Sequence, residues 1–163
     1  MFMIFSISKG FINFTFLLLL SVFSVGLSAN EISILDFGAT PNDYSDDDAI
    51  AINRAIQEAK EGDTIVIGGG KFHLRSEIQL KSHIKLQGDM DKSSVLAALF
   101  YGKDRSMIKG RYVSDVVIDG LTLKANRSDG IGRLIDIRYG NGVTVSNSKF
   151  YRFILHAVSL LSR

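Results

Sequence analysis

The sequence predicts an all-β solenoid of the parallel β-helix type, closed at its N-terminal end by one α-helix. Three observations lead to this fold class. One segment has the apolar spacing of an amphipathic helix, and the chain after it consists of short apolar segments separated by Gly, Asn and Asp. Three of those segments also align with one another, which indicates a repeated structural unit.

The first part of the chain has the composition of a secretory signal peptide, predicted over residues 1–29. Residues 1–27 contain one charge, Lys9, and their apolar run is followed by small residues. This order is typical of a secretory signal, whereas an uncleaved membrane anchor would need a longer uninterrupted apolar stretch. We therefore expect a secreted or periplasmic protein with its domain at residues 30–163 and no stable membrane insertion after signal removal.

The charge balance and the cysteine count exclude several classes of function. The chain has 19 basic and 17 acidic residues, a net charge of +2, and no cluster of Lys or Arg. Such a balance gives no electrostatic footprint for nucleic acid, so no nucleic-acid partner is predicted. The absence of cysteine from the sequence excludes thiol chemistry, zinc fingers and disulfides.

Aspartates gather immediately before the helical pattern. Five of them lie between Asp36 and Asp48, and the last three are consecutive. The apolar positions that follow recur on one helix face: Ala49, Ile52, Ile56 and Ala59. We expect Ser45 or Asp46 to be the N-cap, the consecutive aspartates to favour the positive end of the helix dipole, and Gly62 to end the helix.

A calcium-binding loop is the alternative interpretation of this acidic cluster. An EF-hand loop requires Gly at its sixth position and Glu at its twelfth. Counted from Asp43, those positions hold Asp48 and Arg54, and the register counted from Asp36 fails in the same way. The aspartates are therefore predicted to start a helix, and no residue is predicted as a metal ligand.

After the helix, the sequence predicts many short strands. The turns between them are rich in Gly, Asn and Asp, and no second helix of comparable quality is present in the sequence. The predicted strands are 64–67, 72–74, 78–80, 84–86, 95–99, 116–118, 121–123, 134–137, 143–145 and 154–160.

Three of these segments repeat the pattern apolar–x–apolar–polar–(Gly or Asn). They read Ile-Lys-Leu-Gln-Gly at 84–88, Val-Val-Ile-Asp-Gly at 116–120 and Val-Thr-Val-Ser-Asn at 143–147, spaced by 32 and 27 residues. A long and uneven period with strands and turns inside it favours a parallel β-helix, whose insertions enlarge the turns. Chance alternation in an antiparallel sandwich is the alternative. Asn147 holds the position of the repeat that Gly120 holds in the preceding segment, and it is compatible with a left-handed bend.

Several motifs together resemble the opening of the pectate-lyase-like superfamily. They are Ile-Leu-Asp-Phe-Gly-Ala at 34–39, Ala-Ile-x-x-Ala-Ile-x-x-Ala at 51–59, Gly-Asp-Thr-Ile-Val-Ile at 62–67 and Lys-Phe-His-Leu at 71–74. The superfamily includes polygalacturonase-like hydrolases, pectate lyases, mannuronan C5-epimerases and phage tailspikes. The resemblance runs from residue 34 to residue 145. It departs from the family pattern at Pro-Asn-Asp (41–43) and at three consecutive glycines (68–70).

The resemblance implies the N-terminal part of a right-handed parallel β-helix, only its first few rungs, with the helix as the N-terminal cap. Such a cap covers strand edges and apolar surface that the first rung would otherwise expose. The resemblance also implies a polysaccharide partner. The opening motif is shared by enzymes and non-enzymes, so it leaves the reaction open.

Candidate site residues follow from strand alternation and from the chemistry of acidic sugars. Elimination or epimerisation of a uronic acid removes the C5 proton, which requires a base and a cation (Ca²⁺, Arg or Lys) at the carboxylate. Hydrolysis requires two or three carboxylates around the glycosidic oxygen. The catalytic candidates are Asp136, Arg138, Tyr151, Arg152 and His156. The substrate-binding candidates are Lys124, Asn126 and Lys149. Ordinary solvated face residues are the alternative interpretation of both sets.

Three functions are compatible with this sequence. The leading hypothesis is an exported protein that processes an acidic polysaccharide by elimination, epimerisation or hydrolysis. The alternatives are a non-catalytic carbohydrate-binding or adhesive β-helix of the tailspike type, and an inactive truncated remnant. Acidic and basic residues close together on one sheet would favour the enzyme, and a row of exposed aromatic side chains without them would favour binding.

The last residues of the sequence form an apolar strand pattern with no capping segment behind it. Repeat proteins need a polar or capped final unit. From the sequence we therefore expect self-association at this end or further rungs beyond it. The resemblance implies that catalytic residues lie on middle rungs, so a missing catalytic part is one of the alternatives that stay open.

Overall fold

The computed structural model describes residues 29–89, 91–125 and 130–161. The predicted signal peptide lies outside these residues except for Ala29. One α-helix, α1 (Asp48–Glu58), precedes nearly all of the strands. The described strands, in chain order, are β1 (Glu31–Ser33), β2 (Thr64–Ile67), β3 (Gly70–Leu74), β4 (Ile78–Gln79), β5 (Lys85–Gly88), β6 (Ser94–Ala98), β7 (Gly102–Arg111), β8 (Val117–Asp119), β9 (Leu121–Ala125), β10 (Ile131–Arg138), β11 (Thr144–Ser146), β12 (Lys149–Tyr151) and β13 (Phe153–Leu161).

The strands form three parallel sheets that the chain visits in rotation. Sheet A has the order β1-β2-β5-β8-β11, sheet B the order β3-β6-β9-β12, and sheet C the order β4-β7-β10-β13. Each passage through sheets A, B and C makes one level, and the four levels span roughly three turns of solenoid. The predicted parallel β-helix with an N-terminal helix is therefore confirmed.

The sheet pairing reproduces the sequence repeat residue by residue. Leu86 in β5 pairs with Ile118 in β8, and Ile118 pairs with Val145 in β11. At the bend that follows, Gly120 and Asn147 have φ values of 69° and 48°. Both residues are therefore left-handed, a conformation that Gly adopts freely and Asn tolerates better than most residues.

The core consists of apolar columns that run through the levels. The first column, in sheet A, contains Ile65, Leu86, Ile118 and Val145. The second column, in sheet B, contains Phe72, Leu96, Leu123 and Phe150. The third, in sheet C, contains Ile78, Ile108, Ile135 and Val158. Most of these side chains are fully buried, so each level stabilises its neighbours through apolar contact as well as through backbone hydrogen bonds.

The predicted elements lack strands β1, β7 and β12 and one 3₁₀ turn. Strand β7 contains three consecutive charged residues directly after its first residue, and they hide its strand character, although it pairs with β4 and β10: Lys103, Asp104 and Arg105. The motif at 34–39 also contains a 3₁₀ turn, Ile34–Phe37, that ends at Gly38 with a φ of 93°. Tertiary pairing overrides local composition in β7.

Helix α1 packs on the 3₁₀ turn and on strands β3 and β4, at the first level. The predicted stripe is buried: Ala49, Ile52, Ile56 and Ala59. Two details differ from the prediction. Asp47 is the N-cap, because its side chain accepts the N–H of Ala49, and the helix ends at Glu58 while Gly62 lies in the next turn. No helix of the described residues is long and apolar enough to span a bilayer.

The aspartates before α1 join the helix to the first level of the solenoid. The buried carboxylate of Asp48 accepts the backbone N–H of Thr40 at 2.9 Å and that of His73 at 2.6 Å. Asp47 accepts the backbone N–H of Arg75 at 2.8 Å in addition to its capping bond. Burial raises the pKa of Asp48 above its ordinary value, although both N–H donors oppose this shift. The acidic cluster is thus a helix start, as predicted, and also a link to sheet B.

We predict that the apolar face of α1 is required for stability. Ile52→Asp or Ile56→Asp places an unpaired charge against the first level and should lower the free energy of unfolding by about 3–5 kcal/mol. Ile50→Asp is the matched control, because the Ile50 side chain is 51% exposed on the opposite face. Urea unfolding of the purified variants measures the effect, and unchanged stability of the Ile52 and Ile56 variants would contradict the capping role.

Asp48 should contribute more to stability than its neighbour Asp46. In Asp48→Asn one carboxylate oxygen becomes an N–H donor, so one of the two buried backbone N–H groups loses its acceptor, at a cost of about 1–3 kcal/mol. Asp46→Asn is the control, since Asp46 is exposed and bonds only to side-chain hydroxyls. Equal unfolding midpoints for the two variants would show that the link to His73 is unimportant.

Candidate functional site

The predicted site residues lie on two outer faces of the solenoid. Asp136 and Arg138 in β10, with His156 in β13, belong to sheet C. Lys124 in β9 and Lys149 in β12 belong to sheet B. Two further candidates lie near the junction of these sheets, in β12 and in the bend after it: Tyr151 and Arg152. Asn126 lies outside the described residues.

On sheet C, Asp136 is held between two guanidinium groups. Ile135 and Ile137 are buried in the core, so Asp136 and Arg138 share the outer face, as alternation predicts. Arg138 donates through Nε to Oδ2 of Asp136 at 3.2 Å, and its Nη2 lies 3.2 Å from the same oxygen. Nη1 of Arg133 is 3.8 Å away. The Asp136 side chain is only 3% exposed, so it orients the arginines and is shielded from solvent.

A second charged cluster surrounds Glu77, at the first and second levels of the same sheet. Its carboxylate lies 3.7 Å from Nε of Arg105 and 3.8 Å from Nζ of Lys109. It also accepts the backbone N–H of Ser106 at 3.1 Å. Since Lys109 pairs in register with Asp136, the two clusters are adjacent on the sheet.

An aromatic pair follows these clusters at the end of sheet C. Tyr112 and Tyr139 stack with ring centroids 5.0 Å apart and an interplanar angle of 16°. Both are exposed and have left-handed backbones, with φ of 55° and 59°. The guanidinium of Arg111 lies 5.3 Å and 5.8 Å from the two ring centroids, and Arg111 pairs in register with Arg138. We call this whole region the sheet C surface: Glu77, Arg105, Lys109, Arg111, Tyr112, Arg133, Asp136, Arg138 and Tyr139.

The strands on both sides of β10 carry extra residues opposite Gly132, immediately before Arg133. The register of β10 against both β7 and β13 shifts between Ile131 and Arg133. A side chain at Gly132 would collide with the carbonyl oxygen of Lys103, so this close approach requires glycine. The Nε of Arg133 is buried without a hydrogen-bond partner among the described residues.

Sequence reasoning missed most of the sheet C surface, although a signal was present. Ile-Lys-Gly-Arg-Tyr at 108–112 and Ile-Asp-Ile-Arg-Tyr at 135–139 align at the same 27-residue spacing as the recognised repeat. Aligning them would have identified Lys109, Arg111 and the tyrosine pair as neighbours of Asp136 and Arg138. The polar beginning of β7 concealed this repeat.

His156 is exposed on β13, where it pairs in register with Arg133. Sheet C therefore brings two of the predicted catalytic residues into contact, Asp136 and Arg138. His156 lies on the same sheet but apart from them, because Ser159 is the register partner of Asp136. Tyr151 and Arg152 instead line a groove on sheet B with Lys124. Among the residues that the structure describes, no three His, Asp or Glu side chains are grouped so that they could hold a metal ion.

The outer face of sheet A carries a structural carboxylate. Asp119 accepts the hydroxyl of Ser146 and the side-chain amide of Asn147, each at 2.8 Å, and lies 3.4 Å from Nζ of Lys85. The hydrogen bonds from Ser146 and Asn147, followed by the Lys85 charge, hold the pKa of Asp119 below its ordinary value. These contacts join three successive levels.

Comparisons with known proteins agree with the fold. Residues 31–151 match the family model described as rhamnogalacturonase A/epimerase, pectate lyase-like. An iota-carrageenase complexed to iota-carrageenan fragments matches with 21% identity and a TM-score of 0.56, over 76% of this chain and 29% of that chain. The A-module of the Azotobacter vinelandii mannuronan C-5 epimerase AlgE4 matches with 17% identity and a TM-score of 0.41, over 80% of this chain and 53% of that chain. No curated protein matches.

Both matched structures are longer than this chain, which spans less than two thirds of either. At 21% identity the carrageenase shows the fold alone. The activity and the partners of the chain therefore have to be argued from its own side chains.

We predict that Asp136 orders the arginines of sheet C. Asp136→Asn removes the charge that holds Arg133 and Arg138 and should lower the free energy of unfolding by about 1.5–3 kcal/mol. Asp104→Asn, an exposed change on neighbouring strand β7, is the control. If chemical unfolding gives both variants the stability of the unmodified protein, the Asp136 contacts are not structural.

Proposed function

This chain belongs to the pectate-lyase-like rhamnogalacturonase A/epimerase family, and from that premise we propose that it is exported and acts on an acidic, uronate-containing polysaccharide. The polymer would lie along the outer face of sheet C. One observation carries this proposal. The sheet C surface combines five cationic side chains, four of them paired with its two carboxylates, with a pair of exposed aromatic rings beside the fifth cation, Arg111.

The charge of this surface is suited to a polymer with repeated negative groups. Arg111 and Arg138 are neighbours on adjacent strands, about 4.8 Å apart in the pairing direction. Arg138 is 49% exposed, and its contact with Asp136 leaves part of the guanidinium open to a second carboxylate. Arginine binds carboxylates through two parallel hydrogen bonds, which gives geometric specificity as well as charge compensation.

These residues favour elimination or epimerisation over hydrolysis. In either reaction a base removes the C5 proton of a uronate while a cation neutralises its carboxylate. In elimination the bond between C4 and the glycosidic oxygen then breaks, whereas in epimerisation a proton returns to the opposite face. His156 is our candidate base, since it is exposed and pairs in register with Arg133. Arg133 would then neutralise the carboxylate of the reacting uronate, while Arg138 and Arg111 bind the carboxylates of neighbouring sugars.

Hydrolysis requires a carboxylic acid and a carboxylate that both reach the glycosidic bond. Glu77 and Asp136 are 18% and 3% exposed and already bonded to cations, so neither has the environment of a general acid. The arrangement of an acidic residue with two basic residues within 4 Å on one sheet also satisfies the criterion that favours an enzyme.

A non-catalytic glycan-binding protein is the second candidate, and the tyrosine pair favours it. Exposed aromatic faces bind the apolar faces of sugar rings without any reaction. The two functions differ in one measurable respect, because only the enzyme changes the polymer.

Incubation with alginate, pectate, rhamnogalacturonan, hyaluronan and iota-carrageenan separates the candidates. Ultraviolet absorbance detects unsaturated elimination products, and NMR of the recovered polymer detects epimerisation. We expect a reaction on at least one uronate polymer, with Arg138→Gln or Arg111→Gln lowering kcat/KM about 100-fold. His156→Gln should lower kcat more than it changes KM.

Arg54→Gln is the matched control, because Arg54 is exposed on α1 and lies outside the sheet C surface. Binding without any product would support the second candidate instead. Unchanged binding and unchanged activity in both arginine variants would place the site elsewhere.

A further inference from the structure

A groove on the outer face of sheet B is separate from the sheet C surface. Its volume is about 440 Å³. The lining residues come from all four levels and from the bend after β12: Lys71, Val95, Thr122, Lys124, Tyr151 and Arg152.

The strand register explains why a groove forms here. One outward column of sheet B contains Lys71, Val95, Thr122 and Lys149, and the next contains His73, Ala97, Lys124 and Tyr151. At the second level both outward positions are small and apolar, and Ala97 is fully buried. Longer side chains at the first, third and fourth levels therefore stand above an apolar floor.

The loop before α1 closes the face at one end. The buried His73 ring lies 4.9 Å from the ring of Tyr44, and its Nδ1 is 2.6 Å from the carbonyl oxygen of Asp43. The backbone N–H of Lys71 donates to Oδ1 of Asn42 at 3.2 Å. The open part of sheet B thus begins at Lys71 and continues towards Arg152.

The electrostatics of the groove differ from those of sheet C. Lys71, Lys124 and Arg152 line it, no carboxylate does, and none of these three cations makes an ion pair with another described residue. They occupy the first, third and fourth levels, so their charges extend over about 14 Å at the usual strand spacing. An extended polyanion matches this distribution better than a single small anion.

The uncharged lining indicates which polyanion fits. The Tyr151 ring is 48% exposed at one side of the groove, and Val95 forms part of its floor. Aromatic and aliphatic surfaces of this kind pack against the C–H faces of sugar rings. Charge and apolar contact together therefore point to a glycan with acidic groups.

We infer that the sheet B groove is a second glycan-binding surface, which holds an anionic stretch of polysaccharide away from the sheet C surface. It binds without reacting and so tethers the protein to its polymer. The inference takes its class of ligand, an acidic polysaccharide, from the proposed function. The location of the groove and its charge do not depend on that function.

A single tryptophan can report binding in this groove alone, because the sequence contains no tryptophan. Tyr151→Trp keeps an aromatic ring in the lining, and its fluorescence is followed while a short oligogalacturonate is added. We expect a saturable change that weakens as salt is raised. Neutral maltooligosaccharide of equal length should give no change, and single-stranded oligodeoxythymidylate should bind at least tenfold more weakly.

Substitutions in the Tyr151→Trp background test the assignment of the groove. Lys71→Gln combined with Lys124→Gln should weaken oligogalacturonate binding at least tenfold, whereas Arg54→Gln and the sheet C change Arg138→Gln should leave it unaltered. The inference is overturned by the absence of a saturable change, by affinity unaffected by the lysine changes, or by equal binding of the oligodeoxythymidylate.

The same variants separate this inference from the proposed function. Groove binding with no reaction on any polymer would defeat only the enzymatic proposal. Reaction lost in Arg138→Gln, with no fluorescence response in any variant, would defeat only the second surface.

Discussion

The stacking of parallel strands in register is the constraint on which the rest of this structure depends. Each backbone level bonds to the next, and each inward side chain lies on its counterpart, as Leu86 does on Ile118. The same register places outward side chains in columns about one strand spacing apart. Core packing and surface chemistry therefore have a common origin, and a change in register would disrupt both.

Stacking also leaves the first level with an unpaired face, which α1 covers. The helix alone would bury apolar area, but the aspartates fix where it lies. Asp47 and Asp48 accept backbone N–H groups of the strand region that ends the first passage through sheet B. Asp48 is buried with a raised pKa, which shows that its desolvation outweighs the stabilisation of its charge by these donors. The cap therefore depends on apolar packing together with directed hydrogen bonds.

The two outer faces use cations in different ways. On sheet C, Asp136 and Glu77 hold arginine and lysine side chains in fixed positions, an arrangement suited to orienting a reacting group. On sheet B, Lys71 and Lys124 line a groove above an apolar floor, and no carboxylate of the described residues lines it. Cations that carboxylates hold in place favour one defined geometry of a bound sugar. Cations that have no ion pair among the described residues favour attraction of an anionic polymer and require a less exact fit.

The sequence by itself determined the fold class, the cap helix and the alignment of three strands, because apolar periodicity and left-handed turn residues are local signals. It did not reveal β7, whose charged first half resembles a loop until β4 and β10 pair with it. Only the tertiary structure decided which outward residues meet, because the partners are a full turn apart and turn lengths vary. The predicted candidates were thereby divided between two faces, and Asp136, predicted as an outward residue, is enclosed by arginines. Strand alternation fixes the side of a sheet on which a residue lies, but burial and partners depend on neighbouring levels.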